Sequence, residues 1–414
     1  MNSKITLFFA TMCLGLVCDA QNYDTNNNYV QVFAGSGVGS YLEGQGTQAM
    51  FNTPSAVVSD TSSNLYVIDK GNSRIRRIAP DGTTSTFVGG GAAGLPGYGT
   101  TITLSPIIFG SMVIDRANVI SITAYSGNYG GGGMLRIYTN GYTEFLNFTG
   151  LSDASGICVD SENNLFYSTG GGNKIYRLAA NGSLTFVAGN GTGSSTDGNG
   201  IFASFNNPRA LAVDAANNVY VWDAGGQLIR RIDQSYNVVT IAGSGPGGDL
   251  DGQGLSTKFS SIHAMTIDSN GNVLLACGSS IRKMSASTNV TTIAGSFTQY
   301  SYANGLGALA RFGGASGIWL SQGRIFVADS GNHRIRQISS EPQPQLVADS
   351  NLGIRNYAGI TITGLVGRTY QIQSSSNLTN WTPRVTFLLT SSPYLWFDQN
   401  PIAGNKFYRA YLLP

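Results

Sequence analysis

Short apolar runs separated by turns rich in glycine and asparagine recur along most of the chain. A run such as SAVVSD or ALAVDA is followed by a turn, a second run such as LYVID or VYVWD, a third such as RIRRI, and a fourth such as VTTIAG. Runs of this length between Gly, Asn and Asp turns predict antiparallel hairpins. The pattern therefore predicts a repeated unit of four β-strands.

The unit occurs six times. The spacing between its copies is 55, 45, 54, 54 and 53 residues, measured between the last residues of the first strands: Asp60, Asp115, Asp160, Asp214, Asp268 and Ser321. Many strands are apolar on both faces, as in Leu65–Ile68, which is expected where sheets cover each strand from both sides. Four-stranded units repeated in this way are typical of the blades of a β-propeller.

The two ends of the repeat region are expected to meet. The segment YVQVFAGSG at Tyr29–Gly37 has the pattern of a fourth strand but precedes the first unit, and the sixth unit has only three strands. Pairing the two would remove an open sheet edge. We therefore predict an all-β, six-bladed propeller over residues 29–340, closed by the N-terminal strand.

The remaining segments predict export and a second domain. Residues 1–20 have a basic start, an apolar run and small residues, the pattern of a signal peptide, and residues 21–28 follow as a leader. Residues 341–350 contain EPQPQ and predict a linker, and residues 351–414 predict a small β-sandwich-like domain. No later run is long enough to span a membrane. An exported protein is expected, extracellular or on the cell surface, with the periplasm as the alternative.

Charge and cysteine content narrow the picture further. Charged residues make up 11% of the chain and the formal net charge is +2, which argues against a nucleic-acid partner. Cys158 and Cys277, the two cysteines outside the signal segment, lie two units apart. A disulfide needs Cα atoms within about 7 Å. We therefore predict two buried, unpaired thiols in a protein that is expected to be monomeric.

A ten-residue motif recurs within the units. DKGNSRIRRI has close copies in DAGGQLIRRI, which begins at Asp223, and in DSGNHRIRQI, which begins at Asp329. We interpret it as a structural hairpin in which Asp69 faces Arg74, and Asp329 faces Arg334, across a turn. A charged ligand-binding motif is the alternative. The hairpin is favoured because the motif occurs wherever a unit does.

These units resemble NHL repeats. The signals AG.G, DG.G, F..P, N.YV.D and N..IR.I follow one another most completely in the first, fourth and sixth units, while the second and third depart from the pattern. The resemblance implies a propeller used for binding or scaffolding, or a metal-assisted lactonase or lyase. The C-terminal segment, with Y.IQ.S.NL..W and a final FYRA, resembles modules of exported proteins from Gram-negative environmental bacteria.

A candidate ligand site is expected at the mouth of the propeller channel, where one polar position per unit should meet. It lies five residues before each strand end: Ser55, Gly110, Ser155, Arg209, His263 and Ser316. With Arg209 as a cation and His263 as one further candidate cation, such a ring would suit a small anionic or hydroxyl-rich ligand. The alternative is a polar channel mouth filled with water.

Catalytic chemistry has little support in the sequence. There are only two His residues, too few for a His-rich zinc site, and no nucleophile or phosphate-loop motif. No catalytic residue, metal ligand or cofactor is therefore predicted. Calcium remains an alternative because oxygen ligands suffice for it, and four acidic residues lie in the DG.G loops: Glu43, Asp197, Asp249 and Asp251.

The sequence thus favours a binding or scaffolding module for a protein, glycan or small ligand. A metal-assisted lactonase or lyase and a structural component of a cell surface or matrix are the alternatives. In the C-terminal domain, Trp381 and Trp396 are either a sugar-stacking platform or core residues.

Overall fold

The computed structural model describes residues 28–129, 131–147, 153–340, 345–349, 359–390, 392, 394–397 and 407–413. The chain divides into two compact units, Met1–Ile338 and Ser339–Pro414. In the described segments, strands and turns dominate, and none of their helices could cross a bilayer.

The first unit contains six antiparallel sheets, to which the first strand, β1 (Asn28–Ala34), also contributes. Sheet 1 consists of β2 (Gly44–Gln45), β3 (Pro54–Ser59), β4 (Leu65–Asp69), β5 (Arg74–Ile78) and β6 (Thr83–Val88). Sheet 2 consists of β7 (Gly97–Tyr98), β8 (Ile108–Ile114), β9 (Ile120–Ser126), β10 (Gly131–Ile137) and β11 (Tyr142–Leu146). Sheet 3 consists of β12 (Ala154–Val159), β13 (Leu165–Thr169), β14 (Lys174–Leu178) and β15 (Leu184–Ala188).

The other three sheets of this unit repeat the plan. Sheet 4 consists of β16 (Gly198–Asn199), β17 (Pro208–Val213), β18 (Val219–Asp223), β19 (Leu228–Ile232) and β20 (Asn237–Ala242). Sheet 5 consists of β21 (Gly252–Gln253), β22 (Ala264–Ile267), β23 (Val273–Ala276), β24 (Ser280–Met284) and β25 (Asn289–Gly295). Sheet 6 consists of β26 (Gly305–Leu306), β27 (Ala315–Ser321), β28 (Arg324–Asp329), β29 (Arg334–Ser340) and β1.

Seven short 3-10 helices connect these strands: Gly46–Gln48, Lys70–Asn72, Gly99–Thr101, Gly127–Tyr129, Gly200–Phe202, Gly254–Ser256 and Ser330–Asn332.

The six sheets of this compact unit have the same order of long strands. In each sheet, the first long strand lies at one edge and the fourth toward the other, and in five sheets a two-residue strand from the preceding loop pairs with that fourth strand. In sheet 6 the fourth position is taken by β1, beside β29. The first long strands contact one another in succession: β3, β8, β12, β17, β22, β27 and again β3. The fold is therefore all-β and propeller-like.

Each sheet is covered on both faces, which explains why its strands are apolar on both sides. All five residues of β4 are buried. Tyr66 and Ile68 belong to a core shared with sheet 2, whereas Leu65 and Val67 belong to a core shared with Phe326 of sheet 6. Adjacent residues of one strand thus pack in different cores, as the unbroken apolar run predicts.

The recurring hairpin motif is built around a fully buried ion pair. Arg76 Nη1 lies 3.0 Å from Asp69 Oδ2, and neither side chain is exposed to solvent. The same pair forms between Arg230 and Asp223 at 3.0 Å, and between Arg336 and Asp329 at 2.8 Å.

Asp69 and Arg74, and likewise Asp329 and Arg334, do face each other across the turn, but they are not the residues that form the ion pairs. These residues are direct partners in the strand register, but the carboxylates bind the arginines two residues further on. Arg74 instead lies over the ring of Tyr41 at 4.1 Å, and Arg334 lies over Tyr302 at 3.9 Å.

The buried pair also fastens the preceding loop to the hairpin. Asp69 accepts hydrogen bonds from the backbone N–H of Asn52 at 2.7 Å and from the Asn72 side chain at 2.8 Å. Arg76 donates to the carbonyls of Leu42 and Met50 at 3.0 and 3.1 Å. One pair of side chains therefore fixes a loop and a turn that are distant in sequence.

Three units depart from this arrangement. In sheet 5, Cys277 occupies the position of the aspartate, and Arg282 binds Asp251 at 2.9 Å and Asp249 at 3.5 Å instead. In sheets 2 and 3 the arginine position is held by Leu135 and Tyr176. The second and third repeat units, whose sequences depart from the pattern, therefore lack the buried Asp–Arg pair.

Both predicted thiols are buried and unpaired. Cys158 and Cys277 form no disulfide. Burial raises the pKa of Cys277 to about 12 and raises that of Cys158 further. Neither thiol is therefore ionised near neutral pH, and the prediction of two buried, unpaired cysteines is confirmed.

Neighbouring sheets are also joined by hydrogen bonds at the hairpin turns. The backbone N–H of Thr53 in sheet 1 donates to His333 Nδ1 of sheet 6 at 3.1 Å. Likewise, the N–H of Asn207 donates to Asn173 Oδ1 of sheet 3 at 2.8 Å. His333 and Asn173 both have left-handed backbone angles, with φ of 54° and 53°. Asparagine and histidine adopt this conformation more readily than most residues.

The second unit consists of two three-stranded sheets. One contains β30 (Gln345–Asp349), β31 (Gly359–Thr363) and β34 (Tyr394–Phe397), and the other contains β32 (Thr369–Ser375), β33 (Thr382–Leu388) and β35 (Phe407–Leu412). Ile360, Ile362 and Ile372 form a buried core drawn from both sheets. Because β30 pairs with β31, part of the predicted linker at 341–350 is a strand of this unit.

We predict that Asp69→Ala lowers the free energy of unfolding by about 3–5 kcal/mol, because it leaves the buried Arg76 guanidinium without its counter-charge. The double variant Asp69→Leu/Arg76→Met removes both charges and should recover much of the loss. Chemical denaturation of the three proteins tests this. A cost below about 0.5 kcal/mol for Asp69→Ala would show that the pair does not stabilise the fold.

We further predict that His333→Asn retains the contact to Thr53, because Asn173 makes the same contact in sheet 3. His333→Ala should lower the stability by about 1 kcal/mol through loss of one hydrogen bond. Denaturation midpoints of the two variants provide the comparison. Equal midpoints would show that the side-chain acceptor at this position is not needed.

Candidate functional site

A cavity of about 770 Å³ lies among the first long strands of the six sheets. Its wall includes residues from β3, β8, β12, β17, β22 and β27, so every sheet contributes to it. Strands position this wall, and each is fixed on both sides by its neighbouring strands or sheets. The site is therefore built on rigid elements rather than on loops alone.

The six positions predicted for the channel mouth all line this cavity. They are Ser55, Gly110, Ser155, Arg209, His263 and Ser316. Positions chosen only because they lie five residues before the end of each first strand are therefore close together in the structure. Gly110 contributes only backbone, and the other five carry the polar groups.

A second ring, of apolar side chains, adjoins the polar one. It lies two residues further along the chain from each polar position. All six residues are buried and line the same cavity: Val57, Met112, Ile157, Leu211, Met265 and Ile318. The cavity wall therefore combines polar and apolar residues, a combination common in small-molecule sites.

Two of the serines differ in their freedom to bind a ligand. Ser316 Oγ lies 3.2 Å from both the Pro54 and Ala328 carbonyl oxygens, so its hydroxyl donates a hydrogen bond within the cavity wall. Ser55 Oγ is buried and, in the part of the chain that the structure describes, has no hydrogen-bond partner. A ligand atom that reached Ser55 would satisfy this group.

Arg209 supplies positive charge to the cavity. Its side chain is exposed, and its backbone carbonyl accepts a hydrogen bond from Ser168 Oγ of the preceding sheet at 2.8 Å. Lys70, also exposed, lines the same cavity from the hairpin turn of sheet 1. Sequence reasoning missed Lys70 because it considered only the first strand of each unit.

His263, the second candidate cation, has a lowered pKa, which disfavours its protonated form. The ring is exposed to the cavity, but the surrounding wall desolvates it and the Arg209 charge repels a proton, so the pKa of His263 is lowered from 6.5. Ser261 Oγ lies 3.5 Å from its Nε2. At neutral pH the imidazole is therefore a neutral hydrogen-bonding group.

The five charged residues that the sequence singled out in the hairpin motif do not reach this cavity, although Lys70 of the same motif does. Asp69, Asp223 and Asp329 are fully buried in their ion pairs, and Arg74 and Arg334 contact tyrosine rings near the preceding loops. None of the five lines the cavity wall. Their arrangement supports a structural role for the motif.

The acidic residues considered for calcium are bound by protein groups. Asp197 accepts from Arg230 at 2.6 Å, Asp251 accepts from the N–H of Thr292 at 2.7 Å, and Asp249 accepts from the N–H of Ser260 at 3.0 Å. Glu43 accepts from the N–H of Thr86 at 2.8 Å. Within the described segments, no three His, Cys, Asp or Glu side chains converge on one point.

Trp381 and Trp396, the two tryptophans of the compact unit Ser339–Pro414, have different partners. Trp396 packs partly buried against the Ile core, 6.2 Å from the ring of Tyr408. Trp381 is covered by the guanidinium of Arg409 at 4.4 Å from the ring centre. This arrangement favours packing roles over a shared sugar-stacking platform.

Comparison with known proteins supports the repeat assignment. Residues 312–338, which include the last hairpin motif, match the family model for the NHL repeat. The chain contains an NHL repeat. No curated protein matches the sequence.

Solved structures share the NHL-like propeller fold at low sequence identity. An auxiliary nutrient binding protein from Bacteroides thetaiotaomicron VPI-5482 has 17% identity and a TM-score of 0.59, with 76% of each chain covered. One from Bacteroides ovatus ATCC 8483 has 16% identity and a TM-score of 0.58, covering 77% of this chain and 78% of that one. A protein of unknown function from Bacteroides thetaiotaomicron VPI-5482 has 16% identity and a TM-score of 0.61, with 76% of each chain covered.

We predict that His263→Gln makes folding stability less sensitive to acid. Because the pKa of His263 is lowered in the folded protein, the unfolded chain binds more protons below its ordinary pKa of about 6.5. Stability that is present above this pH should therefore be lost as the pH falls.

Melting temperatures at pH 7.5 and pH 5.0 test this sign. The wild type should lose more on acidification than His263→Gln, whereas other titrating groups affect both proteins alike. An equal loss in both would show that His263 titrates normally.

Proposed function

We propose that the six sheets are the blades of a closed NHL-type propeller, and that the protein binds a small ligand at the mouth of its central cavity. The observation that carries the proposal is one cavity that all six sheets line, with a polar side chain at the equivalent position in five of them. Succession of the first strands from β3 to β27 and back to β3 supports the closed ring, as does the position of β1 in sheet 6.

The cavity's chemistry favours a ligand that carries both negative charge and hydroxyl groups. Arg209 and Lys70 offer charged donors, His263 offers a neutral imidazole, and Ser55 has an unsatisfied hydroxyl. Guanidinium groups bind carboxylates through paired, charge-assisted hydrogen bonds. The adjoining apolar ring would contact the carbon skeleton. A sugar acid or a small hydroxy acid combines these features.

The names of two of the similar structures support a binding role. They are named as auxiliary nutrient binding proteins. A nutrient-binding role fits a protein that is exported and acts at the cell surface or outside the cell, and we propose that location here. No catalytic metal or nucleophile forms part of the proposal.

Calorimetric titration with D-gluconate tests the function, with D-glucose as the uncharged counterpart. Gluconate should bind with measurable heat, and glucose should bind at least tenfold more weakly because it cannot pair with Arg209. A tenfold difference corresponds to about 1.4 kcal/mol. Arg209→Gln should weaken gluconate binding by about the same factor or more.

Arg231→Gln is the matched control. Arg231 is an exposed arginine of the same sheet that does not line the cavity, so its loss should leave binding unchanged. Equal binding of gluconate and glucose, or equal effects of the two arginine substitutions, would contradict the proposed anchor. Absence of binding to a panel of sugar acids and hydroxy acids would contradict the ligand class.

A further inference from the structure

The outer edge of sheet 3 differs from that of the other sheets. In the other five sheets, a glycine of the preceding DG.G-type loop is the strand partner of the second or third residue of the outer strand. The pairs are Gly44 with Thr84, Gly97 with Thr143, Gly198 with Val238, Gly252 with Val290, and Gly305 with Val30. All five partner residues on the outer strands are at most 2% exposed.

Sheet 3 has no such strand among the described residues. Leu184 occupies the equivalent position, as its register with Leu178 shows, yet it is 43% exposed. Seven residues (147–153) separate β11 from β12, whereas 19 to 21 residues separate the equivalent strands elsewhere. The unit thus has a shorter connection, which agrees with its 45-residue spacing.

A second hydrogen bond is missing at the same edge. In the other five sheets, the loop contains a second glycine, two residues after the one that pairs with the outer strand. The backbone N–H of this second glycine donates to the carbonyl that lies two residues before the paired residue of the outer strand. These bonds are 2.8–3.0 Å long and join Gly46 to Gly82, Gly99 to Gly141, Gly200 to Tyr236, Gly254 to Thr288, and Gly307 to Asn28. The equivalent carbonyl, that of Gly182, receives no such bond from any residue that the structure describes.

The edge also lacks the features that usually protect an open strand. Residues 179–196 contain no Lys, Arg, Asp, Glu or Pro. Charged residues and proline are the common means of preventing another strand from adding to an edge. The three-residue turn Gly200–Phe202 contacts β15 and adds Phe202, which is 75% exposed. The edge is therefore uncharged, and its exposed part is the beginning of β15, where Leu184 and Thr185 lie.

We propose that β15 is a docking site for an extended Gly-X-Gly segment of a partner protein, which adds to sheet 3 as an antiparallel strand. The five intramolecular pairs define the occupant. Its first glycine lies opposite Leu184, and its second donates its N–H to the Gly182 carbonyl. Four of the five equivalent second glycines have φ between 48° and 54°, which favours glycine there.

The occupant needs no acidic residue before the first glycine. In sheet 4, Asp197 precedes Gly198 and binds the buried Arg230. In sheet 3 the arginine position is held by Tyr176, so a carboxylate would find no partner. Addition of a strand to a sheet edge is a recurrent mode of peptide recognition.

Hydrogen–deuterium exchange of the full protein tests the open edge first. Amides of residues 184–188 should exchange faster than those of the five equivalent outer strands. Equal protection at all six edges would overturn the proposal, because the edge would then be covered. Protection that rises with protein concentration would also overturn it, because the occupant would then be a second copy of this chain.

A synthetic peptide copying residues 194–205 (SSTDGNGIFASF) then tests the occupant. It should slow exchange at residues 184–188, and a peptide with Gly200→Val should not. Leu184→Lys should weaken peptide binding at least tenfold, whereas Val239→Lys, on the covered outer strand of sheet 4, should leave it unchanged. Equal binding of both peptides, or no effect of Leu184→Lys, would contradict the proposed mode.

Discussion

A fully buried ion pair between an aspartate and an arginine determines how the first, fourth and sixth repeat units are assembled. Taking two charges out of water is costly, and the cost is offset only when each finds good partners. Asp69 and Arg76 meet this condition by binding each other and by binding the amides and carbonyls of the preceding loop. The loop, the turn and the strand therefore have one arrangement in which all of these groups are satisfied. The geometry of the cavity wall depends on this ion pair, because the loop that the pair holds leads directly into β3, which lines the cavity.

The repeat units that lack the buried Asp–Arg pair show what this pair contributes. In sheet 5 the carboxylate comes from the loop rather than from the hairpin, so Arg282 keeps its counter-charge although Cys277 replaces the aspartate. In sheets 2 and 3 the charge is removed altogether, and Leu135 or Tyr176 fills the position. Each solution avoids an unpaired buried charge. Tolerance of such different solutions is expected in a repeat protein, where each unit contacts mainly its neighbours.

The sequence was sufficient to predict the repeat, the strand pattern and the positions that line the cavity, because these depend on local periodicity and constant spacing. It was not sufficient to decide between Arg74 and Arg76 as the partner of Asp69. Both lie on one face of the strand, and only packing shows that Arg76 is enclosed whereas Arg74 reaches Tyr41. The two-residue strands were also missed, since a segment such as Gly44–Gln45 is too short to show alternation. The lowered pKa of His263 required knowledge of the wall around it and of the nearby Arg209.

The position of the polar ring on strands has a kinetic consequence. Arg209, Ser55 and His263 are held by sheets packed on both faces, so little of the wall has to reorganise when a molecule enters. Exchange of the proposed ligand with the surroundings would then be governed by diffusion into the cavity and by the strength of the contacts made there. Under the proposed function, the protein would sample its medium rapidly and release its ligand as soon as the external concentration falls.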